Sequence, residues 1–182
     1  MLRTASRLLS VLLHPLLIPF YAMAAIILGD PLTATAQTQS KVFFSLIVLL
    51  NVSIIPAIAL GLIKTLGYIT GPEDRRSRVI AIVLVALCYG ICIFMIGDRF
   101  FAFLVRKFLV AAFCCSVASI PVAYFYNISM YRVAAGGALA MMGVLSVAGV
   151  GNYMLPFAVC IILAGLLGSA RLYLGQNTLG QV

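Results

Sequence analysis

The stretch that decides the fold is residues 79–97, VIAIVLVALCYGICIFMIG, in which no charged side chain interrupts a run of apolar residues. A helix needs about 20 predominantly apolar residues to cross the hydrocarbon core of a bilayer, and this run has that length. A transmembrane β-strand would instead alternate apolar and polar side chains over about 10 residues, which this stretch does not do. The run therefore predicts a membrane-spanning α-helix.

Composition extends this conclusion to the whole chain of 182 residues. Hydrophobic residues make up 64% of it and charged residues only 9%. Soluble domains have about 45–50% apolar and about 25% charged residues, so an ordinary soluble fold is excluded. The net charge of +8 comes from Lys and Arg in loops and at span ends, where they contact anionic lipid head groups. No basic face outside the bilayer is left for nucleic acid, so membrane lipids are the expected partners.

Six apolar runs of similar length predict an all-α fold, a polytopic transmembrane helical bundle in a single integral-membrane domain over residues 1–182. The spans are expected at Leu8–Gly29, Val42–Ile63, Val79–Gly97, Phe108–Tyr126, Val133–Val150 and Leu155–Leu174. Pro15, Pro19, Pro56 and Pro121 lie inside these spans. They predict kinks and not helix ends, because neighbouring helices can satisfy the carbonyl groups that proline frees.

Counting six spans places three polar patches on one side of the membrane: residues 73–78 (EDRRSR), 127–132 (NISMYR) and 169–181. Eight of the 12 Lys and Arg residues share that side, which favours the cytoplasm by the positive-inside rule. If Arg75, Arg78 and Arg171 instead serve a binding site, the count becomes five against four. The orientation then stays open.

The fifth and sixth spans are rich in small residues. Three small-xxx-small pairs occur in them: Gly136 with Ala140, Ala164 with Gly168, and Gly165 with Ser169. Such pairs let helix backbones approach closely. Ordinary packing inside the bundle explains them, and a helix-mediated oligomer is the alternative.

The usual catalytic sets are missing from the polar patches. There is no Ser/His/Asp arrangement, P-loop or zinc motif, and the five cysteines lie in apolar runs without a CxxC pair, so neither a metal nor a cofactor is expected. The single histidine, His14, lies in the first span, where an ionisable side chain is a functional candidate. A hydrogen bond within the bundle is the more usual role for it, and Asn51 in the second span is likewise expected to link helices.

Arginines give the strongest indication of a binding site. Arg171, near the end of the sixth span, either snorkels to the membrane surface or holds an anion, and its guanidinium fork suits phosphate oxygens. Arg75 and Arg78 are three residues apart, so they can share one face of the helix that starts the third span. Free backbone N–H groups at that helix start also favour an anion. The alternative is that these arginines are solvated charges.

In their order and spacing these patches resemble the three signatures of the type 2 phosphatidic acid phosphatase superfamily, most closely a small membrane branch common in Bacteroidetes. His14-Pro15 matches a His-Pro pair in the opening helix, and residues 74–78 (DRRSR) match an Asp/Glu-Arg-x-x-Arg loop. Residues 129–131 (SMY), with Gly136-Gly137 after them, match Ser-x-His followed by Gly-Gly. Ala170-Arg171, with Asn177 six residues after the arginine, matches Ala-Arg then x5-His. The resemblance covers most of the chain.

This resemblance implies a protein of the bacterial inner membrane whose partner is a phosphorylated lipid or an isoprenyl phosphate. In the superfamily a third-motif histidine attacks phosphorus, a second-motif histidine protonates the leaving oxygen, and arginines and a serine hold the phosphate. Carried over, Arg78 and Arg171 would bind phosphate, Arg75 would support them and Ser129 would donate a hydrogen bond. We therefore expect Arg78, Ser129 and Arg171 to converge within reach of one phosphate.

The catalytic positions of the superfamily are changed in this chain. Asn177 stands at the nucleophile position, and a carboxamide cannot form a phosphoryl-enzyme intermediate. Tyr131 stands at the general-acid position, and a phenol is a poor proton donor near neutral pH. Gln181 replaces the acid that normally follows the nucleophile. The expected function is that of a degenerate member, a pseudoenzyme that binds head groups without phosphohistidine chemistry.

Two alternatives to this function remain, so whether the chain is an enzyme is left open. One is an active lipid phosphatase with non-standard catalytic groups, in which His14 is an accessory residue. The other is a membrane scaffold or transporter-like subunit whose arginines only set its topology. Superfamily members continue past the third motif into another span, whereas this chain stops at Gln181-Val182, which leaves a missing C-terminal span open.

Overall fold

The computed structural model describes residues 13–29, 37–68, 74–97, 102–126 and 129–173, with residues 170–173 described by their backbone alone. Within these ranges all regular secondary structure is helical and no strand occurs. The described helices are α1 (Ile18–Gly29), α2 (Thr38–Thr65), α3 (Arg75–Ile96), α4 (Phe103–Phe125), α5 (Met130–Val147) and α6 (Met154–Tyr173). The predicted all-α class is confirmed.

Four of the described helices, α2 to α5, are long and apolar enough to cross a membrane. Shorter apolar helices are Ile18–Gly29 and, within α6, Met154–Ser169. These lengths and compositions indicate an integral membrane protein, as the sequence predicts. Each predicted span overlaps one helix, but most helices begin a few residues earlier than expected. At α3 this difference matters, because the helix begins at Arg75 and so includes the arginines that precede the apolar run.

Prolines affect the helices differently along the chain. Pro15 lies in a turn before α1, which begins at Ile18, and residues 8–12 of the predicted span lie outside the described residues. Proline disfavours the helical conformation of the residue before it, here His14. Pro19 lies in the first helical turn, where its missing N–H breaks no intrahelical bond.

Pro56 and Pro121 lie inside helices that continue past them, as predicted. At Pro56 the adjustment is visible, because α2 widens into a π-helical segment over Leu50–Ile54, immediately before Ile55-Pro56. A π-helical turn is one of the recognised ways in which a helix accommodates an inserted distortion.

The chain divides into two compact units. The terminal unit comprises Met1–Ala25 and Ile128–Val182 and holds most of α1 together with α5 and α6. The central unit comprises Ile26–Asn127 and holds α2, α3 and α4. Each unit is described by itself below. The single domain expected over residues 1–182 stays a prediction.

In the central unit α3 packs along α4 and also against the π-helical segment of α2. Cys92 and Ile96 of α3 and Leu109 of α4 are almost fully buried. Asn51, buried in the π-helical segment, uses its Nδ2 to donate to the Ile47 carbonyl at 3.0 Å and to the Met95 sulfur at 3.8 Å. Because Met95 belongs to α3, Asn51 links two helices as the sequence predicts.

In the terminal unit α5 and α6 form a helical hairpin. Gly149, in the connection, has a φ of 65°, a left-handed conformation that favours glycine. Next to the connection the helices touch closely, since a Cβ on Gly143 would lie 3.1 Å from Cε2 of Phe157. Gly143 is therefore the position at which a small residue permits close contact between the helices.

Candidate functional site

The first turn of α3 is fixed by Asp74. This residue precedes the helix in an extended conformation, with φ −73° and ψ 129°. Its carbonyl oxygen accepts a hydrogen bond from the Arg78 backbone N–H at 3.2 Å, and its Oδ2 accepts one from Ser77 Oγ at 3.1 Å. Ser77 is buried, so this contact anchors the start of the helix inside the unit. The orientation of Arg75 and Arg78 follows from that anchor.

Arg75 has an aromatic partner. Its Cζ lies 5.4 Å from the centroid of the Tyr124 ring near the end of α4, within the range of a cation–π contact. Both side chains are exposed, so the contact links α3 and α4 at the protein surface. A cation–π contact uses the face of the guanidinium and leaves its in-plane N–H donors for other partners, so the expectation that Arg75 supports a phosphate site stays a prediction.

Arg78, one turn further along α3, is in the opposite situation. Its Nε and Nη1 atoms are buried and have no hydrogen-bond partner among the described residues. Those two nitrogens carry three N–H donors in a group that stays protonated in proteins. More than about 90% of buried polar groups in proteins are hydrogen-bonded, and leaving a charged one unpaired costs at least about 1–3 kcal/mol. An anion beside Arg78 would remove that cost.

The N-terminus of α5, in the terminal unit, carries the second predicted motif. Ser129 precedes the helix, and its carbonyl oxygen accepts a hydrogen bond from the Arg132 backbone N–H at 3.0 Å. The Ser129 hydroxyl does not cap the helix. Tyr131 and Arg132 follow in the first turn, where sequence analysis singled out only Tyr131.

His14 lies against Tyr131. The two ring centroids are 5.9 Å apart with an interplanar angle of 72°, an edge-to-face contact. His14 Nδ1 accepts a hydrogen bond of 3.4 Å from the Leu16 backbone N–H. In the neutral ring the proton is therefore carried by Nε2. The sequence indicated His14 only as an accessory residue, and no local signal connects it to Tyr131.

A cavity of about 150 Å³ lies between α5 and α6 at the end of the hairpin that carries Tyr131. It is lined by Tyr131, Arg132, Ala135, Gly136, Ala164, Leu167 and Gly168. A Cβ added to Gly136 or Gly168 would meet no atom within 4 Å. These two small residues thus leave space between the helices, where the sequence predicted close backbone contact.

The remaining predicted residues are placed less completely. Arg171 follows Gly168 by one turn in α6, and its side chain lies outside the described residues, as do Asn177 and Gln181. Arg78 belongs to the central unit, whereas Ser129 and Arg171 belong to the terminal unit. The expected convergence of these three around one phosphate stays a prediction.

Neither the cysteines nor the residues that commonly bind metals form a second candidate site within the described ranges. No group of three or more His, Cys, Asp or Glu residues there could hold a metal ion. None of the five cysteines, all of which lie in the described ranges, forms a disulfide. Cys88 and Cys92 are buried, as expected for small apolar side chains, but Cys114 and Cys115 are exposed on α4.

Comparisons with protein-family models, curated proteins and solved structures give no match. The resemblance to the phosphatase superfamily therefore rests on the order of its motifs.

Proposed function

We propose that this chain is a degenerate relative of the type 2 phosphatidic acid phosphatase superfamily that binds the phosphate of a lipid or isoprenoid head group through Arg78. The observation that carries the proposal is the Arg78 guanidinium, two of whose nitrogen atoms are buried without a hydrogen-bond partner among the described residues. A phosphate supplies both the negative charge and the oxygen acceptors that this group needs.

The position of Arg78 within α3 supports an anion at the same place. It lies one turn from the start of the helix, close to the backbone N–H groups that lack intrahelical acceptors and to the positive end of the helix dipole, which favours negative charge. The candidate span Arg75–Ile96 also begins there, so the first turn lies at the depth of lipid head groups. A phosphorylated lipid of the bacterial inner membrane is the ligand that fits this charge and depth.

Binding without hydrolysis follows from the residue types at the catalytic positions. Tyr131 replaces the histidine that protonates the leaving oxygen, and Asn177 replaces the histidine that attacks phosphorus. General acid–base catalysis typically contributes about 10²–10⁴-fold to the rate, and loss of the nucleophile removes the covalent route as well. The phosphohistidine mechanism is therefore not part of the proposal.

The contact of His14 with Tyr131 favours a second candidate function, an active phosphatase that uses other groups. It brings an imidazole with a proton on Nε2 to the position that the resemblance assigns to the general acid. In this alternative the imidazolium form of His14 would give its Nε2 proton to the leaving oxygen while water attacks phosphorus, so that the P–O bond to the lipid breaks and inorganic phosphate is released.

Phosphate release from phosphatidic acid and from an isoprenyl pyrophosphate, measured on the purified protein in detergent, separates the two candidates. If the protein only binds, the purified protein retains lipid and releases no phosphate. The His14→Ala variant should then give the same result. Phosphate release that is lost in both Arg78→Ala and His14→Ala would establish the enzyme and contradict the binding role. Lipid retention that does not depend on Arg78, with no release, would contradict both.

A further inference from the structure

Arg132 lines the cavity between α5 and α6 in a unit that has no acidic side chain. All four Asp and Glu residues of the chain, Asp30, Glu73, Asp74 and Asp98, lie within Ile26–Asn127. The terminal unit therefore has no Asp or Glu side chain to pair with Arg132, and among the described residues its guanidinium forms no ion pair. The cavity thus has a cationic wall that a ligand must match.

The cavity also has an apolar wall that is continuous with the outside of the hairpin. Apart from Tyr131 and Arg132, its lining consists of Gly, Ala and Leu side chains. The neighbouring Leu166 on α6 is 49% exposed, so the helix also carries apolar surface outside the cavity. At the opposite end the contact between Gly143 and Phe157 closes the hairpin.

The polar residues of the cavity lie where a lipid head group would be. Tyr131 and Arg132 are in the first turn of α5, at the beginning of the candidate span Met130–Ala148. Gly136 and Gly168 lie deeper along the two helices and leave open space beside them. A molecule seated here would place its charge at the membrane surface and its chain in the hydrocarbon region.

From this arrangement we propose that the cavity between α5 and α6 binds one anionic phospholipid of the bilayer. Arg132 holds the phosphodiester and the Tyr131 hydroxyl donates to it. The upper part of an acyl chain lies against Gly136, Ala164 and Gly168. This site uses residues of the terminal unit only, whereas Arg78 belongs to the central unit.

A second copy of the chain is a less suitable occupant, although small residues often mark helix–helix interfaces. In a two-fold symmetric dimer the same surface meets itself. Two such cavities would bring two Arg132 side chains to one interface, and the terminal unit offers no carboxylate to separate them. An anionic lipid would neutralise the positive charge of Arg132, whereas a second copy would place another positive charge beside it.

Two adjacent glycines provide a matched pair of variants. Gly136 and Gly137 are both exposed positions of α5, and a Cβ on either meets no atom within 4 Å. Only Gly136 lines the cavity. Gly136→Leu therefore fills the cavity, whereas Gly137→Leu places the same side chain on the same helix outside it. Arg132→Ala removes the cation and leaves the cavity open.

The test is native mass spectrometry of protein exchanged into nanodiscs that contain equal amounts of phosphatidylglycerol and phosphatidylcholine, with an oleate-doped phosphatidylcholine sample as a second arm. We expect wild type and Gly137→Leu to retain phosphatidylglycerol in preference to phosphatidylcholine. That preference should fall at least about fivefold in Arg132→Ala and Gly136→Leu, as expected for loss of about 1 kcal/mol of basic-residue attraction.

Three results would overturn the lipid site. Equal lipid retention by Gly136→Leu and Gly137→Leu would mean that the cavity holds no lipid. Retention of oleate but not phosphatidylglycerol would mean that the ligand is a fatty acid. A change in dimer fraction in Gly136→Leu, without a change in retained lipid, would make the cavity an interface between copies. Arg78→Ala, measured alongside, reports separately on the other proposed site.

Discussion

The guanidinium of Arg75 lies over the ring of Tyr124, with its Cζ 5.4 Å from the ring centroid. Arg78, one turn further along the same helix, has two buried nitrogen atoms without a hydrogen-bond partner among the described residues. The sequence presents these arginines as equivalent members of one motif. In the structure Arg75 links α3 to α4, whereas the buried nitrogens of Arg78 need an anion.

Replacing Arg78 should stabilise the lipid-free protein. Two of its guanidinium nitrogens are buried without a hydrogen-bond partner among the described residues, so Arg78→Leu should increase the free energy of unfolding by about 1–3 kcal/mol. Thermal unfolding in detergent without added lipid measures this. Arg75→Leu is the control, and it should lower the stability slightly because it removes a cation–π contact. A loss of stability in Arg78→Leu larger than that in Arg75→Leu would contradict the unpaired state of Arg78.

The contact between Arg75 and Tyr124 should contribute measurably to stability. An exposed cation–π pair is worth about 0.5–1 kcal/mol. A double-mutant cycle with Arg75→Leu and Tyr124→Leu should therefore give a coupling energy in that range by thermal or denaturant unfolding. Strictly additive effects of the two substitutions would show that the side chains do not interact.

Gly143 should be the least replaceable glycine of α5. A Cβ there would lie 3.1 Å from the Phe157 ring, whereas a Cβ on Gly137 meets nothing within 4 Å. Gly143→Ala should therefore be less stable than Gly137→Ala by about 1–3 kcal/mol, the usual cost of overpacking. Adding Phe157→Leu should restore part of the loss. Equal stability of the two alanine variants would show that α5 and α6 are not in close contact at Gly143 and Phe157.

His14 should matter to the position of Tyr131 and not to phosphate binding at Arg78. The edge-to-face contact at 5.9 Å needs an aromatic ring, so His14→Phe preserves it and His14→Ala removes it. We expect His14→Ala alone to lower stability, by about 0.5–1.5 kcal/mol. Both variants should bind phosphatidic acid as wild type does, which vesicle co-sedimentation measures.

The apolar runs predicted the helices well because a membrane span is specified by length and composition alone. The start of the first predicted span, at residue 8, lies outside the described residues. The third span was predicted from the apolar run that begins at Val79, whereas α3 begins at Arg75, as a shared helical face of Arg75 and Arg78 requires. Arg75 and Arg78 consequently lie inside the helix.

The candidate sites were predictable only in part. Motif order drew attention to Arg78, but that its nitrogens are buried and unpaired depends on the packing around α3. The small-xxx-small spacing drew attention to Gly136 and Gly168, yet the close contact occurs at Gly143, because spacing does not state which residue faces the partner helix. Arg132 was overlooked, although the lack of any acidic residue in residues 128–182 could have indicated it.

The central claim is that Arg78 holds a lipid phosphate, and the most direct measurement is the dissociation constant for short-chain phosphatidic acid in Arg78→Ala and Arg75→Ala. The two variants lose the same charge one turn apart on the same helix and share an intact α5–α6 cavity. A hydrogen-bonded charge contributes about 1.5–3 kcal/mol, so Arg78→Ala should bind about 10- to 150-fold more weakly than wild type, with Arg75→Ala close to wild type. Equal weakening in both variants would show that the arginines act only as general positive charge, and the proposed site would be wrong.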